Sequence, residues 1–306
     1  MAVTAAMVKE LRESTGAGMM DCKNALTEAN GDMEKAVEVL REKGLAKAAK
    51  KAGRIAAEGL VDTFVDGNIA SIVEVNSETD FVAKNDLFKN YVKEVAKQAA
   101  KTTTEDIDSF LAEESLFVAG STVNEVLTSK ISVIGENLKI RRFKKVVVEN
   151  GVVASYIHMG GKIGVLVELE SDVVNDAVVE CGRNLAMQIA AVSPLHVDRS
   201  EVSDEYVEKE RSILKEQAKN ENPDKPDSII DKMIIGRLNK QLKEICLLDQ
   251  PYVKDGDLTV AKYVELVAKE QGANLKVKAF TRFETGEGIE KKSENFAEEV
   301  ARQMQS

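Results

Sequence analysis

Three sets of residues in this chain have the side chains or backbone that chemistry uses, and their spacing decides what they can do. The set nearest to phosphate binding is Gly160-Gly161-Lys162. A phosphate cradle needs its glycines to open a helix whose first amides face the anion. Here they stand between two apolar runs, Val152–Ile157 and Ile163–Leu169, which is the setting of a hairpin turn. The pattern GxxxxGK(S/T) does not occur, so the chain has no P-loop. The two histidines, His158 and His196, are too few for a metal centre. The cysteines, Cys22, Cys181 and Cys246, lie far apart without ligand spacing. No serine or cysteine has a base at a recognisable distance along the chain, and the acidic residues fall mostly on charged helical stretches where they are solvated. Nothing in these patterns supports a catalytic centre, a metal site or a cofactor.

The remaining classes of function are binding classes, and charge narrows them. The net charge is −10 over 306 residues, which disfavours nucleic acid and anionic membrane as partners, since both attract basic surfaces. No run reaches transmembrane length. The first residues, MAVTAAMVKELRES, carry charge within the first ten and do not read as a secretory signal. An odd cysteine count without a framework suits a reducing compartment, so a cytoplasmic location is expected. Hydrophobic residues make up 43% of the chain and aromatics only 5%, so the core must be aliphatic.

The elements that would position a binding surface follow from periodicity. Residues 3–15 read as a helix with Thr4 as cap and Met7, Val8 and Leu11 on one face, stopped by Gly16 and Gly18. A second helix spans Met19 to Ala29. A third, capped by Asp32, spans Met33 to Lys43 and stops at Gly44. The Lys/Ala stretch Ala46–Arg54 reads as a linker or a solvated helix. From Gly59 the period becomes that of strands: Leu60–Val65, an Asp66-Gly67-Asn68 turn and Ile69–Val75, followed by a helical face with Leu87, Phe88, Tyr91, Val92, Val95 and Ala99. Gly151–Leu169 repeats that hairpin, and a helix from about Asn175 to Ala191 follows it. Asn137-Leu138-Lys139-Ile140 and Asn274-Leu275-Lys276-Val277, entered through Gly135 and Gly272, close the two copies. The fold class is therefore α+β: a small N-terminal three-helix module, a duplicated core of two three-stranded antiparallel sheets with helices, an inserted antiparallel helical hairpin broken at Asn222–Pro226, and a terminal helix from Asn295 to Gln305. The expected divisions are 1–54, 55–148, 149–200 with 248–285, 201–247 for the insertion, and 286–306.

Two stretches carry a family resemblance, Leu11-Arg12-Glu13-Ser14-Thr15-Gly16-Ala17-Gly18-Met19-Met20-Asp21-Cys22-Lys23-Asn24-Ala25-Leu26 and Glu74-Val75-Asn76-Ser77-Glu78-Thr79-Asp80-Phe81-Val82-Ala83-Lys84-Asn85. Shorter ones extend it at Ile134–Asn137, Ile163–Val167, Gln250–Val253, Arg282–Glu284 and Gly286–Glu290. With these the chain resembles the bacterial elongation factor Ts family along nearly its whole length, and its inserted hairpin is similar to that of the family's long form. The resemblance implies a protein without an active site of its own, a guanine-nucleotide exchange factor that binds the GTPase elongation factor Tu and not the nucleotide. By the matching motifs, Arg12, Met19, Met20 and Lys23 of a UBA-like module contact the partner's nucleotide-binding domain. Thr79, Asp80, Phe81 and Val82 form the wedge that dislocates its magnesium ion. Ile134, Gly135 and His158 line the same domain, and Val253 meets another. Two departures stand out: Lys254 replaces a frequent methionine, and the His158–Lys162 turn is longer than in some relatives. Homodimeric and heterotetrameric assembly stay open.

Taken without the resemblance, the same residues allow plainer roles. Met19 and Met20 are read first as core of the small helical module; as soft side chains they would mark an interface if exposed. Thr79 or Asp80 could cap a helix that Phe81 staples. Alternatively, Asn85-Asp86 caps the next helix and leaves Thr79–Lys84 as a loop with an apolar tip. The alternative function is an adaptor that binds a GTPase without exchanging its nucleotide. A metabolic enzyme would need a pocket of converging polar groups.

Overall fold

A computed structural model describes residues 3–290; the helix expected over 295–305 lies outside them. The chain is α+β, as its periodicities require. Helices α1 (Ala5–Thr15), α2 (Met19–Glu28) and α3 (Met33–Lys51) enclose a core of Val8, Leu11, Cys22, Ala25, Leu26 and Ala36. Thr4 caps α1, its hydroxyl accepting from the Met7 amide, and Gly16 ends it at φ 68°. The third helix corrects the expected stop at Gly44. It runs on to Lys51, because Gly44 is buried where α3 crosses a later helix and faces Ser132. The Lys/Ala stretch is therefore the last two turns of α3 rather than a linker.

The first core unit comprises β1 (Glu58–Asp66), β2 (Ile69–Ser77), α4 (Asp80–Lys84), α5 (Asp86–Lys101), α6 (Ile107–Ala112), α7 (Val123–Ile134) and β3 (Lys139–Val147). The second comprises β4 (Gly151–His158), β5 (Ile163–Ser171), α8 (Asp176–Val192), the inserted hairpin α9 (Asp204–Glu221) and α10 (Asp227–Ile245), a small ribbon β6 (Pro251–Tyr252) and β7 (Asp255–Thr259), α11 (Val260–Gln271) and β8 (Leu275–Glu284). Each main sheet is antiparallel with the middle strand second in sequence, in orders β1-β2-β3 and β4-β5-β8. The hairpin buries the stripe of Leu214, Ala218, Ile230, Ile234, Leu238 and Leu242 between its own helices. The short helix α6 and the β6–β7 ribbon leave no clear periodic signal, whereas α7 and α11 were missed although Thr122–Glu125 forms a capping box before Val123, Val126, Leu127 and Ile131, and Thr259 caps a run with Val260 and Val264 on one face.

The duplication extends to details that no periodicity exposes. Gly59 and Gly151 open their hairpins at φ 126° and 135°, and a Cβ there would stand 2.2 Å from the Val75 carbonyl oxygen and 1.9 Å from that of Leu169. Only glycine fits either place. The register slips at Glu74/Val75 in one sheet and at Glu168/Leu169 in the other. In β2, Val73 and Val75 face the helices while Ala70 and Ile72 face the other sheet; Val165, Val167 and Leu169 oppose Leu166 in the same way in β5. Both middle strands are thus covered on two sides. The sheets pack against each other through Val61, Ile72, Val146, Val153, Leu166 and Phe283, with helices outside. Gly164 permits the approach: a Cβ there would lie 2.4 Å from Val61 Cγ1. Glu74, fully buried on this inner face, accepts hydrogen bonds from Arg141 Nη1 (3.0 Å), Arg142 Nε (2.6 Å), Asn76 Nδ2 (3.0 Å) and the Gly286 amide (2.8 Å). Those donors make a buried carboxylate tolerable, and they bind the segment after β8 to the first sheet.

Candidate functional site

The residues singled out by the sequence fall into two clusters and one separate point. In the helical module, Gly16 and Gly18 reverse the chain so that α1 and α2 diverge. Val3, Val8, Arg12, Met19, Met20 and Lys23 line an open cleft of about 950 Å³ between them. The methionines are 59% and 63% exposed, so the plainer expectation that they fill the module's own core is wrong. Cys22, Ala25 and Leu26, further along α2, supply that core. The outcome is an unbranched, polarizable apolar pair flanked by two cations, a surface able to receive an apolar, negatively edged partner.

The second cluster grows from β2. Its last residues are fully buried, and the chain then turns at Glu78 into α4. Thr79 caps this single turn, its hydroxyl oxygen accepting from the Val82 amide at 3.4 Å. The expectation of a loop over Thr79–Lys84 is corrected: the segment is helical, and Asn85 caps a second helix, α5, directly after it. The staple reading of Phe81 is also corrected. Val82 and Ala83 pack inward, whereas the Phe81 ring is 79% exposed. Among the described residues this is an aromatic ring held out on a rigid base, not a core residue. Beside it Lys84 lies 6.0 Å from the ring centroid and pairs with Asp80 at 2.6 Å. Its hydrogen bond holds the Asp80 carboxyl below the usual carboxylate range.

Ile134 and Gly135 join this cluster. Gly135 ends α7 at φ 89°, and the following Glu136 accepts from the backbone at the start of α4. His158 closes β4, with its Nδ1 3.1 Å from the Tyr156 hydroxyl. Its turn is held to the first unit by the Val61 amide donating to the Gly161 carbonyl (2.7 Å) and by Lys162 pairing with Glu58 (2.6 Å). Glu58 in turn pairs across the sheet with Ser77, two residues before Thr79, so the turn lies at the end of the core from which α4 leaves. Val253 is not part of this cluster. It sits at the β6–β7 turn on α8, exposed, with its amide donating to Gln188 Oε1 at 2.8 Å. Lys254 anchors that turn by donating to Asn184 Oδ1 at 2.5 Å.

Among the described residues no group of three or more His, Cys, Asp or Glu is placed to hold a metal ion. Burial pushes the Cys181 thiol up to about 11, so it stays protonated at neutral pH and is no nucleophile. No described helix is long and apolar enough to cross a membrane.

Comparison with known proteins agrees along the whole chain. The sequence model of the family described as Elongation factor TS matches residues 78–287. Elongation factor Ts of Clostridium tetani is 57% identical over 305 residues, covering 99% of this chain and 100% of the relative. That of Clostridioides difficile is 58% identical over 304 residues, 99% of each. That of Clostridium perfringens strain 13 is 54% identical over 302 residues, 98% of each. Matched by the family's own pattern over residues 78–287 and by these relatives almost end to end, the chain belongs to the elongation factor Ts family.

Proposed function

We propose that this chain is a guanine-nucleotide exchange factor for elongation factor Tu, active in translation elongation in the cytoplasm, with the α4 turn as its wedge. The observation that carries the reading is the exposed Phe81 ring on a one-turn helix at the end of a strand buried on both faces. Such a ring costs solvation in the free protein and regains it in a partner's pocket. Burying it contributes roughly 1.5–3 kcal/mol, or about 10–150-fold in affinity.

Exchange follows if the pocket is open only in the nucleotide-free partner. A factor that binds that state more tightly weakens nucleotide binding by the same ratio. A GTPase holds its diphosphate through a phosphate cradle and a magnesium ion. In this reading Phe81 enters beside the ion and rearranges the groups that hold it. Asp80, engaged with Lys84, does not need to chelate it. One ring cannot supply the whole effect, so the Met19–Met20 cleft holds the partner's nucleotide domain, Ile134, Gly135 and His158 extend that contact, and Val253 grips a second domain. The factor itself has no active site and binds neither nucleotide, nucleic acid nor membrane.

The deciding measurement is a titration of GDP-loaded and of nucleotide-free elongation factor Tu with this protein, paired with stopped-flow release of labelled GDP. Tighter binding to the nucleotide-free form together with accelerated release is expected. Equal affinity for both forms without acceleration would make the protein an adaptor.

A further inference from the structure

The α4 turn poses a physical problem that the exchange reading leaves unsolved. A five-residue helix is far below the length at which helices hold themselves together in water, yet it must present Phe81 in one orientation to be of use. The structure supplies the missing restraint from outside the turn. Glu136 Oε2 accepts from the amides of Glu78 (3.1 Å) and Thr79 (3.0 Å), and its Oε1 accepts from the Thr79 hydroxyl at 2.6 Å. Glu78 returns the contact, its Oε1 accepting from the Asn137 amide at 2.6 Å. Three charge-assisted bonds to one carboxylate, closed by a reciprocal fourth, make a stiff clamp.

The second core unit serves as an internal control. Its Asp172 accepts from the Asn274 amide at 2.8 Å, in the place of Glu78 and Asn137. The position matching Glu136 is Ala273, one residue after Gly272 as Glu136 is one after Gly135. That unit has no α4 turn: Ser171 stands four positions before its helix cap Asn175, while Ser77 stands eight before Asn85. The carboxylate is present where the wedge is present and absent where it is absent, although the surrounding fold is the same. The clamp also reaches the helical module. Lys51, at the end of α3, donates to the Gly135 carbonyl, Arg54 lies 3.5 Å from Glu78, and the Asn137 side chain donates to the Arg54 carbonyl at 2.8 Å.

We propose that Glu136 is a positioning residue for exchange, which orients the Phe81 turn and ties it to the end of the helical module; this rests on the exchange reading above. The test uses the full chain with Glu136→Ala, Glu136→Gln, Phe81→Ala and the double variant Phe81→Ala/Glu136→Ala. In the free protein, Glu136→Ala should speed amide hydrogen exchange at residues 78–83 by about tenfold or more, since two amides and a hydroxyl lose their acceptor. Glu136→Gln keeps one acceptor oxygen for the amides, and its NH₂ can donate to the Thr79 hydroxyl, so it should stay near the parent. In stimulated GDP release, Glu136→Ala should lower the maximal rate about tenfold with the half-saturating concentration within about twofold. In the Phe81→Ala background it should cost less than about twofold more, because a clamp without its ring has nothing to aim.

Unchanged amide exchange at residues 78–83, or a full multiplicative loss in the double variant, would overturn the assignment. An unaltered maximal rate for Glu136→Ala would do so as well. A Phe81→Ala variant that still exchanges at the parental rate would instead overturn the wedge reading, and the amide exchange of the isolated protein would still decide what Glu136 holds.

Discussion

The two halves of the core leave their middle strands in the same way and then diverge. Ser77 donates its hydroxyl hydrogen to the Thr79 carbonyl at 3.0 Å, and Ser171 does so to Val173 at 2.7 Å. An acidic residue follows each serine and caps the amide that begins the third strand. The first half then inserts one helical turn, Asp80–Lys84, before its helix-capping asparagine; the second goes straight to Asn175 and leaves Val174 exposed at the corner. The inner carboxylates diverge as well. Glu74 has Arg141 and Arg142 as partners, whereas the positions matching those arginines beside Glu168 are Lys278 and Ala279. A duplicated scaffold thus carries the proposed wedge on one copy only. The likeness between the copies identifies what the fold requires, and the unlikeness identifies what was added to it.

The comparison can be broken first at the shared glycines. Gly59→Ala and Gly151→Ala each place a Cβ within 2.2 Å and 1.9 Å of a carbonyl oxygen at φ 126° and 135°. Each should cost about 3 kcal/mol or more of stability in urea denaturation, and a large loss in one half alone would show that the hairpins are not equivalent. Next in size is Phe81→Ala, expected to slow stimulated GDP release about 10–150-fold with thermal unfolding unchanged. Val174→Ala, at the matching corner, should alter release by less than about twofold; a comparable loss there would mean that both corners work.

Smaller again, Met19→Ala or Met20→Ala should lower stimulated GDP release by up to about tenfold, since the cleft helps hold the partner's nucleotide-free state; unaltered release would confine the exchange contacts to the wedge. The smallest effect concerns Asp172, whose carboxyl is held below its ordinary value by the Asn274 amide. A depressed value in the folded state means that its contribution to stability is complete above the unfolded value of about 3.9 and fades as pH falls through the folded value. The stability gap between the parent and Asp172→Ala should therefore be constant near neutrality and close in acid, which denaturation at several pH values would show.

Much of this was legible in the residues. The short apolar runs Ile69–Val75 and Ile163–Leu169, each preceded by another run and an Asp-Gly or Gly-Gly turn, were enough for both hairpins, because a turn pair between two such runs leaves little room for a helix. Local signals failed where tertiary contact overrides them. Gly44 has the type of a helix stop but serves as a crossing point with α7. Met19 and Met20 have the type of core residues, and only the packing of Cys22, Ala25 and Leu26 against Val8, Leu11 and Ala36 shows that the core was already filled. Phe81 was undecidable between staple and tip, since both need an aromatic near a cap and differ only in which way one turn of helix faces. Glu136 lies in the resemblance stretch Ile134–Asn137, but nothing in the sequence indicated what it holds: its partners lie more than fifty residues away.

The bond from the Gly286 amide to Glu74 spans 212 residues, and Phe283 packs among the residues that join the two sheets. During synthesis at 5–20 residues per second, about 7–27 s pass between completion of the first sheet at Val147 and the arrival of Phe283. Strands β4 and β5 can cover Val61 and Ile72 with Val153 and Leu166 early in that interval, but the seam around the Glu74 carboxylate stays one donor short until Gly286 is made, so each new molecule waits on its last strand to lock its first sheet.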